Sequence, residues 1–214
     1  EHLPHDVRSR LIDEPLMERD IASSMPCLAT ISQGTSLKVK LQYEENPYPR
    51  WTAAYIAPRK SSPNEIFKTM GLTLTQSFVK GSEPLQILVA GCGTGQQPIE
   101  AAFRYKDATI LAVDLSQASL AYAKRKSEEL GIDNVTYLNG DILDIHQIGK
   151  LFDIIECSGV LHHMEDPMAG WRSLTNQLKP GGLMRIALYS ELARQNIVKV
   201  RDEIATQKIR SSAS

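Results

Sequence analysis

The sequence predicts an α/β fold with a doubly wound parallel sheet, and three observations support this prediction. Residues 85–90 form a short apolar run typical of a buried parallel strand, and a glycine turn and an apolar-faced helix follow directly. Strand-like and helix-like patterns then alternate over residues 109–130 and 152–178. The length, 214 residues, suits one such domain with a small appendage. Right-handed crossovers restrict the order of its strands.

Composition and charge limit the possible functions. The formal net charge is −1, so the chain has no overall attraction to nucleic acid or anionic lipid, and we expect no nucleic-acid partner. Its longest apolar runs span only a few residues, which predicts no membrane span, and it has no secretory signal pattern, so a cytoplasmic location is expected. Cys27, Cys92 and Cys157 form no C-x-x-C pair, so neither a disulfide framework nor a metal site is expected.

Residues 1–60 differ from the rest and are predicted to form an N-terminal extension or lid, with residues 61–214 as the core domain. Repeated prolines predict short helices and loops that lie on the domain. Residues 36–43 alternate like a strand but also permit a helix, and we favour the helix. Ser62-Pro63-Asn64-Glu65 is a capping-box pattern, which predicts a helix from residue 63.

The first predicted strand ends in a glycine turn, GCGTG, at residues 91–95. Gly91, Gly93 and Gly95 permit positive φ angles and let backbone amides approach a ligand closely. A strand, glycine turn and helix together form a nucleotide-binding element, although an ordinary βα turn without a ligand is the alternative. Cys92 is interpreted as a small residue that fits the turn, because no group that would activate a nucleophile is nearby.

Two acidic residues follow the next two predicted strands. Asp114 ends strand 109–113, where doubly wound folds place an acid on ribose hydroxyls. Ser116 is a good N-cap for the helix at 117–130. Asp141 follows strand 135–138, and there it can cap the short turn at residues 142–148.

The glycine turn resembles motif I of the class I S-adenosylmethionine (SAM) methyltransferases, in which the turn cradles the methionine part of the cofactor. The resemblance implies SAM as the cofactor. It also implies that Asp141 accepts a hydrogen bond from the adenine amino group, with Leu115 and Ile142 beside the two acids at the cofactor. The capping role of Asp141 stays open as the alternative.

The loop after strand 152–156 is expected to face the transferable methyl group, because ligands bind outside the carboxyl ends of strands at the switch point. It resembles motif IV of the same class, which implies that Cys157 and Ser158 touch the cofactor by backbone. His162 and His163 lie nearby, and a histidine with a pKa near neutrality can act as a general base. The alternative is that they hold the loop by hydrogen bonds. Adjacent histidines without a suitably spaced partner do not predict zinc.

Residues 42–51, QYEENPYPRW, combine aromatic residues with prolines and an arginine. Prolines stiffen the segment, and rigid aromatics suit contact with a ligand or partner. Its Asn-Pro-Tyr precedes the first strand, so it is not the similar motif that follows the fourth strand in amino-methyltransferases. The segment resembles one in front of methyltransferase domains in bacterial chains with tetratricopeptide repeats, some related to protein lysine methyltransferases. The resemblance implies fusion to or association with repeat domains, and a lid over the cofactor or substrate mouth with Tyr43, Tyr48, Arg50 and Trp51 as its contacts. A strap whose aromatics simply pack on the domain is the alternative.

The end of the chain predicts an incomplete sheet. Asp166 caps a helix to residue 178, and Pro180-Gly181-Gly182 leads into a fifth strand at 183–189. Class I methyltransferases have seven strands in the order 3-2-1-4-5-7-6, whereas residues 191–208 look helical. We therefore expect the last two strands to be absent from this chain, the chain to be the front part of a longer protein, and strand 183–189 to be an edge.

The function predicted from these features is SAM-dependent methyl transfer to a protein or small-molecule acceptor. The reaction is an in-line displacement that needs alignment, desolvation and sometimes a base, so the sequence indicates the cofactor residues better than the acceptor. Two alternatives stay open. A nicotinamide oxidoreductase would use the same strand and acid, but its fingerprint needs a glycine where Gln96 stands. A non-catalytic SAM-binding or assembly module would have the same binding residues.

Overall fold

The computed structural model describes residues 4–29, 34–72, 83–190 and 192–207. Within these ranges the strands are β1 (Leu85–Ala90), β2 (Ala108–Asp114), β3 (Val135–Asn139), β4 (Phe152–Ser158) and β5 (Leu178–Ala187). The α-helices are α1 (His5–Arg8), α2 (Glu14–Ser23), α3 (Gly34–Glu45), α4 (Pro63–Thr69), α5 (Gln96–Arg104), α6 (Gln117–Glu129), α7 (Pro167–Asn176) and α8 (Gln195–Thr206). A 3₁₀ segment, Ile142–Ile148, connects β3 to β4.

The strands form one parallel sheet in the order β3-β2-β1-β4-β5. The chain runs from β1 outwards through β2 to β3 and then crosses back to β4 on the other side of β1. This reversal makes the carboxyl ends of β1 and β4 the switch point, where such sheets open a crevice. The doubly wound parallel sheet predicted from the sequence is confirmed.

The central strand β1 is buried on both faces. Ile87 and Val89 belong to one apolar cluster, whereas Leu88 and Ala90 belong to the other, because successive side chains of a strand point to opposite faces. Each large aliphatic side chain removed from water in this way stabilises the fold by roughly 1.5–3 kcal/mol. The continuous apolar run of β1 thus fixes the position of the glycine turn that follows it.

The predicted helix starts are confirmed by their caps. Ser62 and Glu65 form a reciprocal capping box at α4. The Ser116 hydroxyl accepts from the Ser119 amide at 3.0 Å, and Asp166 accepts from the Met168 amide at 2.9 Å. Helix α7 ends at Asn176, two residues before the predicted end, because the backbone enters β5 at residue 178.

The fifth strand starts earlier than predicted. It spans Leu178–Ala187 rather than 183–189, and the proline and glycines expected to form a turn lie within it. Its pairing with β4 jumps from Phe152 opposite Leu178 to Ile154 opposite Leu183, so the extra residues form a bulge in which Gly181 has a φ of 76°. Among the described residues no further strand pairs with β5, which is therefore an edge there, as predicted.

The N-terminal helices pack on the core. Helices α2 and α3 both contact α6, and the helix favoured for residues 36–43 is confirmed as part of α3. Between them the backbone pairs with Asn139 at the end of β3: the Leu28 amide donates to the Asn139 carbonyl, and the Asn139 amide donates to the Pro26 carbonyl, both at 2.8 Å. No helix in the described part of the chain has the length and apolarity needed to cross a membrane.

Candidate functional site

A cavity of about 340 Å³ opens at the carboxyl ends of β1, β2 and β4. Its volume falls in the range of small-molecule sites, roughly 300–1,000 Å³. The glycine turn, the residues after β2, β3 and β4, and the N-terminal segment form its walls. Its lining residues are Ser36, Val39, Tyr43, Tyr48, Pro49, Gly91, Cys92, Gly93, Thr94, Gln96, Gln97, Val113, Asp114, Leu115, Gly140, Asp141, Ile142, Ser158, Gly159, Val160, His163, Met164 and Tyr189.

Asp114 ties the glycine turn to the end of β2. Its Oδ2 accepts a hydrogen bond from the Gly93 amide at 2.7 Å, and its Oδ1 accepts from the Ser116 amide at 2.9 Å. Burial raises the pKa of this carboxyl, while the two backbone hydrogen bonds partly oppose the rise. The Gly93 amide, which could otherwise cradle a phosphate, is therefore already bound to a carboxylate.

The glycines of the turn have different roles. Gly91 and Gly93 line the cavity with φ angles of 70° and 51°. Gly95 does not line it, and its φ of 85° forms the start of α5. A Cβ added at Gly95 would lie 2.3 Å from the Ala123 Cβ of α6, so this glycine permits close packing of two helices. Its predicted contact with the cofactor stays a prediction.

Asp141, Ile142 and Leu115 line the cavity, as the resemblance implied. The Asp141 Oδ1 accepts from the Leu143 amide at 3.0 Å, which confirms its alternative role as a cap of the 3₁₀ segment. Its other oxygen can still face a ligand, so the adenine contact stays a prediction.

The two residues at the end of β4 are placed differently. Ser158 lines the cavity, and its buried hydroxyl has no hydrogen-bond partner among the described residues. Cys157 is 1% exposed and packs in the apolar cluster on the other face of the sheet. The Cys157 side chain therefore points away from the cavity, because alternation along β4 directs the two side chains to opposite faces. The predicted contact of Cys157 with the cofactor was by backbone, and it stays a prediction.

Only one histidine of the pair lines the cavity, and it is His163. The His162 ring lies behind it, with centroid distances of 4.2 Å to His163 and 4.2 Å to Tyr189. Both ring nitrogens of His162 are buried without a hydrogen-bond partner in the described part of the chain. Burial lowers the pKa of His162, and the charges of His163 and Arg194 lower it further, so the ring is neutral at pH 7. His162 therefore packs the loop by ring contacts rather than by hydrogen bonds.

The proline-containing segment covers the glycine turn, but two of its predicted contacts separate. Tyr48 and Pro49 line the cavity. Trp51 does not: its indole N–H donates to the Thr94 carbonyl at 2.9 Å, and its ring meets Tyr122 edge-on at 6.0 Å. The buried N–H of a tryptophan needs a hydrogen-bond acceptor, and here the acceptor is a carbonyl of the glycine turn. The lid prediction thus fits Tyr48, and the strap alternative fits Trp51.

Helix α3 forms one wall of the cavity through Ser36, Val39 and Tyr43. Sequence reasoning named Tyr43 as a lid contact but missed Ser36 and Val39. Glu44 caps the N-terminus of α6, accepting from the Gln117 amide at 2.8 Å and the Ala118 amide at 2.9 Å. A carboxylate there is stabilised by the helix dipole. No local pattern indicates this cap, because its partner lies far along the chain.

A buried charge cluster anchoring the N-terminal segment was also missed. Arg125 of α6 is 2% exposed and pairs with Glu18 of α2 at 2.9 Å. Arg50 donates to the other oxygen of Glu18 at 2.7 Å and lies 5.1 Å from the ring centre of Tyr122. Glu14 and Glu129 also pair with Arg125. The cluster holds α2 and the segment after α3 against α6.

Thr94 connects this segment to the glycine turn, and its replacement tests the contact. The Thr94 hydroxyl donates to the Pro49 carbonyl at 2.5 Å. We expect Thr94→Val to leave that carbonyl unpaired and to weaken SAM binding by about 1 kcal/mol, or roughly fivefold, measured by calorimetry. Thr94→Ser keeps the hydroxyl and is the control. An unchanged dissociation constant in Thr94→Val would show that the segment is not a wall of the cofactor site.

Comparisons with known proteins agree with this geometry. A sequence-family profile described as "Methyltransferase domain" matches residues 82–212. An uncharacterized protein from Synechococcus sp. is 30% identical over 202 residues, which cover 92% of this chain and 46% of that protein. Trans-aconitate 2-methyltransferase from Deinococcus radiodurans is 31% identical over 111 residues, which cover 52% of this chain and 40% of that enzyme. This chain spans less than half the length of either relative.

Among solved structures, PKMT2 from Rickettsia typhi in complex with AdoHcy (S-adenosylhomocysteine) superposes with a TM-score of 0.55 and 26% identity. The match covers 78% of this chain and 32% of that one. The cavity described above suits the same cofactor, because it has two carboxylates, a closely approachable glycine turn and a serine hydroxyl without a partner among the described residues. The chain belongs to the methyltransferase-domain family and has the fold of the class I SAM-dependent methyltransferases.

Proposed function

We propose that this chain transfers the methyl group of SAM to a protein or small-molecule acceptor that enters beside the loop after β4. The observation that supports it most is the position of the Asp114 carboxylate, bound to the Gly93 amide at 2.7 Å within a cavity that extends to Ser158 and His163. The cofactor residues and the acceptor opening thus meet at the switch point of the sheet.

One end of the cavity would bind the cofactor, and the other end would admit the acceptor. SAM, when bound, supplies a methyl group activated by a sulfonium leaving group. Asp114 and Asp141 lie at the end where ribose and adenine would be held. Tyr48 and Pro49 lie beside the glycine turn and line one wall of the cavity. The other end, where the acceptor would enter, is lined by Ser158, Gly159, Val160, His163 and Met164.

The nicotinamide alternative is disfavoured by charge. A dinucleotide places a pyrophosphate on the amides of the turn and the helix that follows it. Here the Gly93 amide is bound to Asp114, and Glu44 lies at the N-terminus of the neighbouring helix α6. Both carboxylates would repel a pyrophosphate, whereas the sulfonium of SAM is positive.

The broader context of the chain is also a proposal. The sequence resemblance of residues 42–51 supports association with, or fusion to, repeat domains. The net charge of −1 supports an acceptor other than nucleic acid.

Product formation separates an enzyme from a non-catalytic SAM-binding module. Two reactions are compared, each containing the protein and methyl-labelled SAM. One also contains a protein extract, and the other contains a small-molecule extract. We expect label in one of them together with release of S-adenosylhomocysteine, and we expect Asp114→Ala to abolish both. SAM binding without label transfer to either extract would favour the binding module.

A further inference from the structure

The acceptor end of the cavity differs from the cofactor end in its charged groups. Carboxylates of Asp114 and Asp141 line the cofactor end. At the other end the lining residues that the structure describes include no carboxylate, and His163 is the ionisable group with a basic nitrogen there. This asymmetry bears on the class of acceptor.

An arginine borders this end. The guanidinium of Arg194 lies 4.0 Å from the ring centre of Tyr189, and Tyr189 lines the cavity. Arg194 is half-buried, and none of the carboxylates that the structure describes lies within ion-pairing distance of it. A guanidinium presents a planar set of donors that matches a carboxylate in a bidentate arrangement. Stacking on Tyr189 fixes the plane of that group without using its donors.

His162, whose ring nitrogens are buried, does not offer a strong base. His162 is neutral and its nitrogens face no proton acceptor among the described residues. An ammonium or an alcohol would need to lose a proton before or during attack. A carboxylic acid is already ionised at neutral pH, so it needs only orientation and a cationic partner.

We propose that the acceptor is a carboxylate, held by Arg194 over Tyr189 at the rim of the cavity and methylated on oxygen. This inference rests on the proposed methyltransferase function and specifies its substrate class. A carboxylate oxygen forms the new bond to the methyl carbon as the carbon–sulfur bond breaks. The electron pair of that bond stays on sulfur, which yields S-adenosylhomocysteine and a methyl ester, and no proton moves.

The binding test uses benzoate as the probe and benzamide as its neutral match. The isotope-labelled protein is first saturated with S-adenosylhomocysteine, and the Arg194 side-chain N–H signal is followed by NMR. We expect a saturable shift with benzoate and none with benzamide. In the variants that lack this signal, benzoate binding is followed by the backbone amide signal of Tyr189. Arg194→Gln should weaken benzoate binding at least ~10-fold, whereas Arg194→Lys should retain part of it. Arg201→Gln, an exposed arginine on α8, is the matched control and should bind like the parent. Equal shifts with both probes, or none with either, would overturn the inference.

The turnover test uses the labelled products obtained from the two extracts. Mild alkali hydrolyses methyl esters and releases volatile labelled methanol, but it leaves methyl amines and methyl ethers intact. We expect release by alkali. Label that survives alkali would overturn the carboxylate inference while leaving the methyltransferase function in place. Absence of any label with SAM binding intact would contradict the proposed function itself.

Discussion

Replacing Asp114 with alanine is expected to weaken SAM binding about 100-fold, equivalent to about 3 kcal/mol. The carboxylate lies where ribose hydroxyls are bound in this fold, and it also holds the Gly93 amide at 2.7 Å. Its loss removes a charged acceptor and loosens the turn. Calorimetry with SAM measures the change. Asp114→Asn keeps the shape of the side chain but removes its charge, so it separates the loss of the carboxylate from a loss caused by misfolding.

A matched control lies at the opposite end of the sheet. Asp153 also accepts from a backbone amide, that of Gln86 at 2.8 Å, and pairs with Lys179 at 2.9 Å. Asp153→Ala should lower stability without changing SAM affinity. Equal loss of affinity in the Asp114 and Asp153 variants would contradict a direct role for Asp114.

The affinity of the wild-type protein for SAM should also depend on pH. Burial raises the pKa of Asp114, so the ionised form that accepts ribose hydroxyls is lost at a higher pH than for an ordinary aspartate. SAM affinity is therefore present above that raised pKa and falls as the pH drops through it.

Breaking the buried charge cluster is expected to produce the largest loss of stability. Arg125→Leu leaves Glu18, which is 7% exposed, without its buried partner, and this should lower the free energy of unfolding by about 3–5 kcal/mol. A loss is also expected for Glu18→Leu, because Arg125 then keeps only Glu14 and Glu129, whose side chains are 30% and 44% exposed. Arg50 can turn to water because its side chain is 46% exposed. Urea unfolding measures each change.

The double variant distinguishes a coupled pair from two independent contacts. With both charges removed, neither is left unpaired in an apolar site. We therefore expect Glu18→Leu with Arg125→Leu to be at least about 1 kcal/mol more stable than either single variant. Strictly additive losses would show that the two residues do not stabilise one another.

The parts of the site that local patterns determine could be predicted from the sequence. The apolar run of β1, the glycine turn and Asp114 follow one another at the spacing that is typical of a doubly wound unit. Helix caps such as Ser116 could also be predicted, because the capping side chain bonds to an amide only three residues further along the chain. The role of Trp51 could not be predicted, because an indole N–H can donate to a ligand or to a buried carbonyl. The position of the Thr94 carbonyl shows that it does the latter.

The parts that depend on distant residues could not be predicted. The amide that Glu44 caps is 73 residues away, and Arg125 is 107 residues from Glu18. Such partners are selected by the docking of α2 and α3 on α6, which no local periodicity encodes. The start of β5 was missed for a related reason. Its proline and glycines indicate a turn locally, but pairing with β4 continues across them as a bulge.

Isothermal titration calorimetry with SAM, S-adenosylhomocysteine and NAD measures most directly whether the cavity is a SAM site. We expect micromolar dissociation constants for SAM and S-adenosylhomocysteine, equivalent to roughly −8 kcal/mol, and no binding of NAD. Binding of NAD, with no heat from SAM or S-adenosylhomocysteine, would contradict the assignment of the cavity and of the function proposed for it.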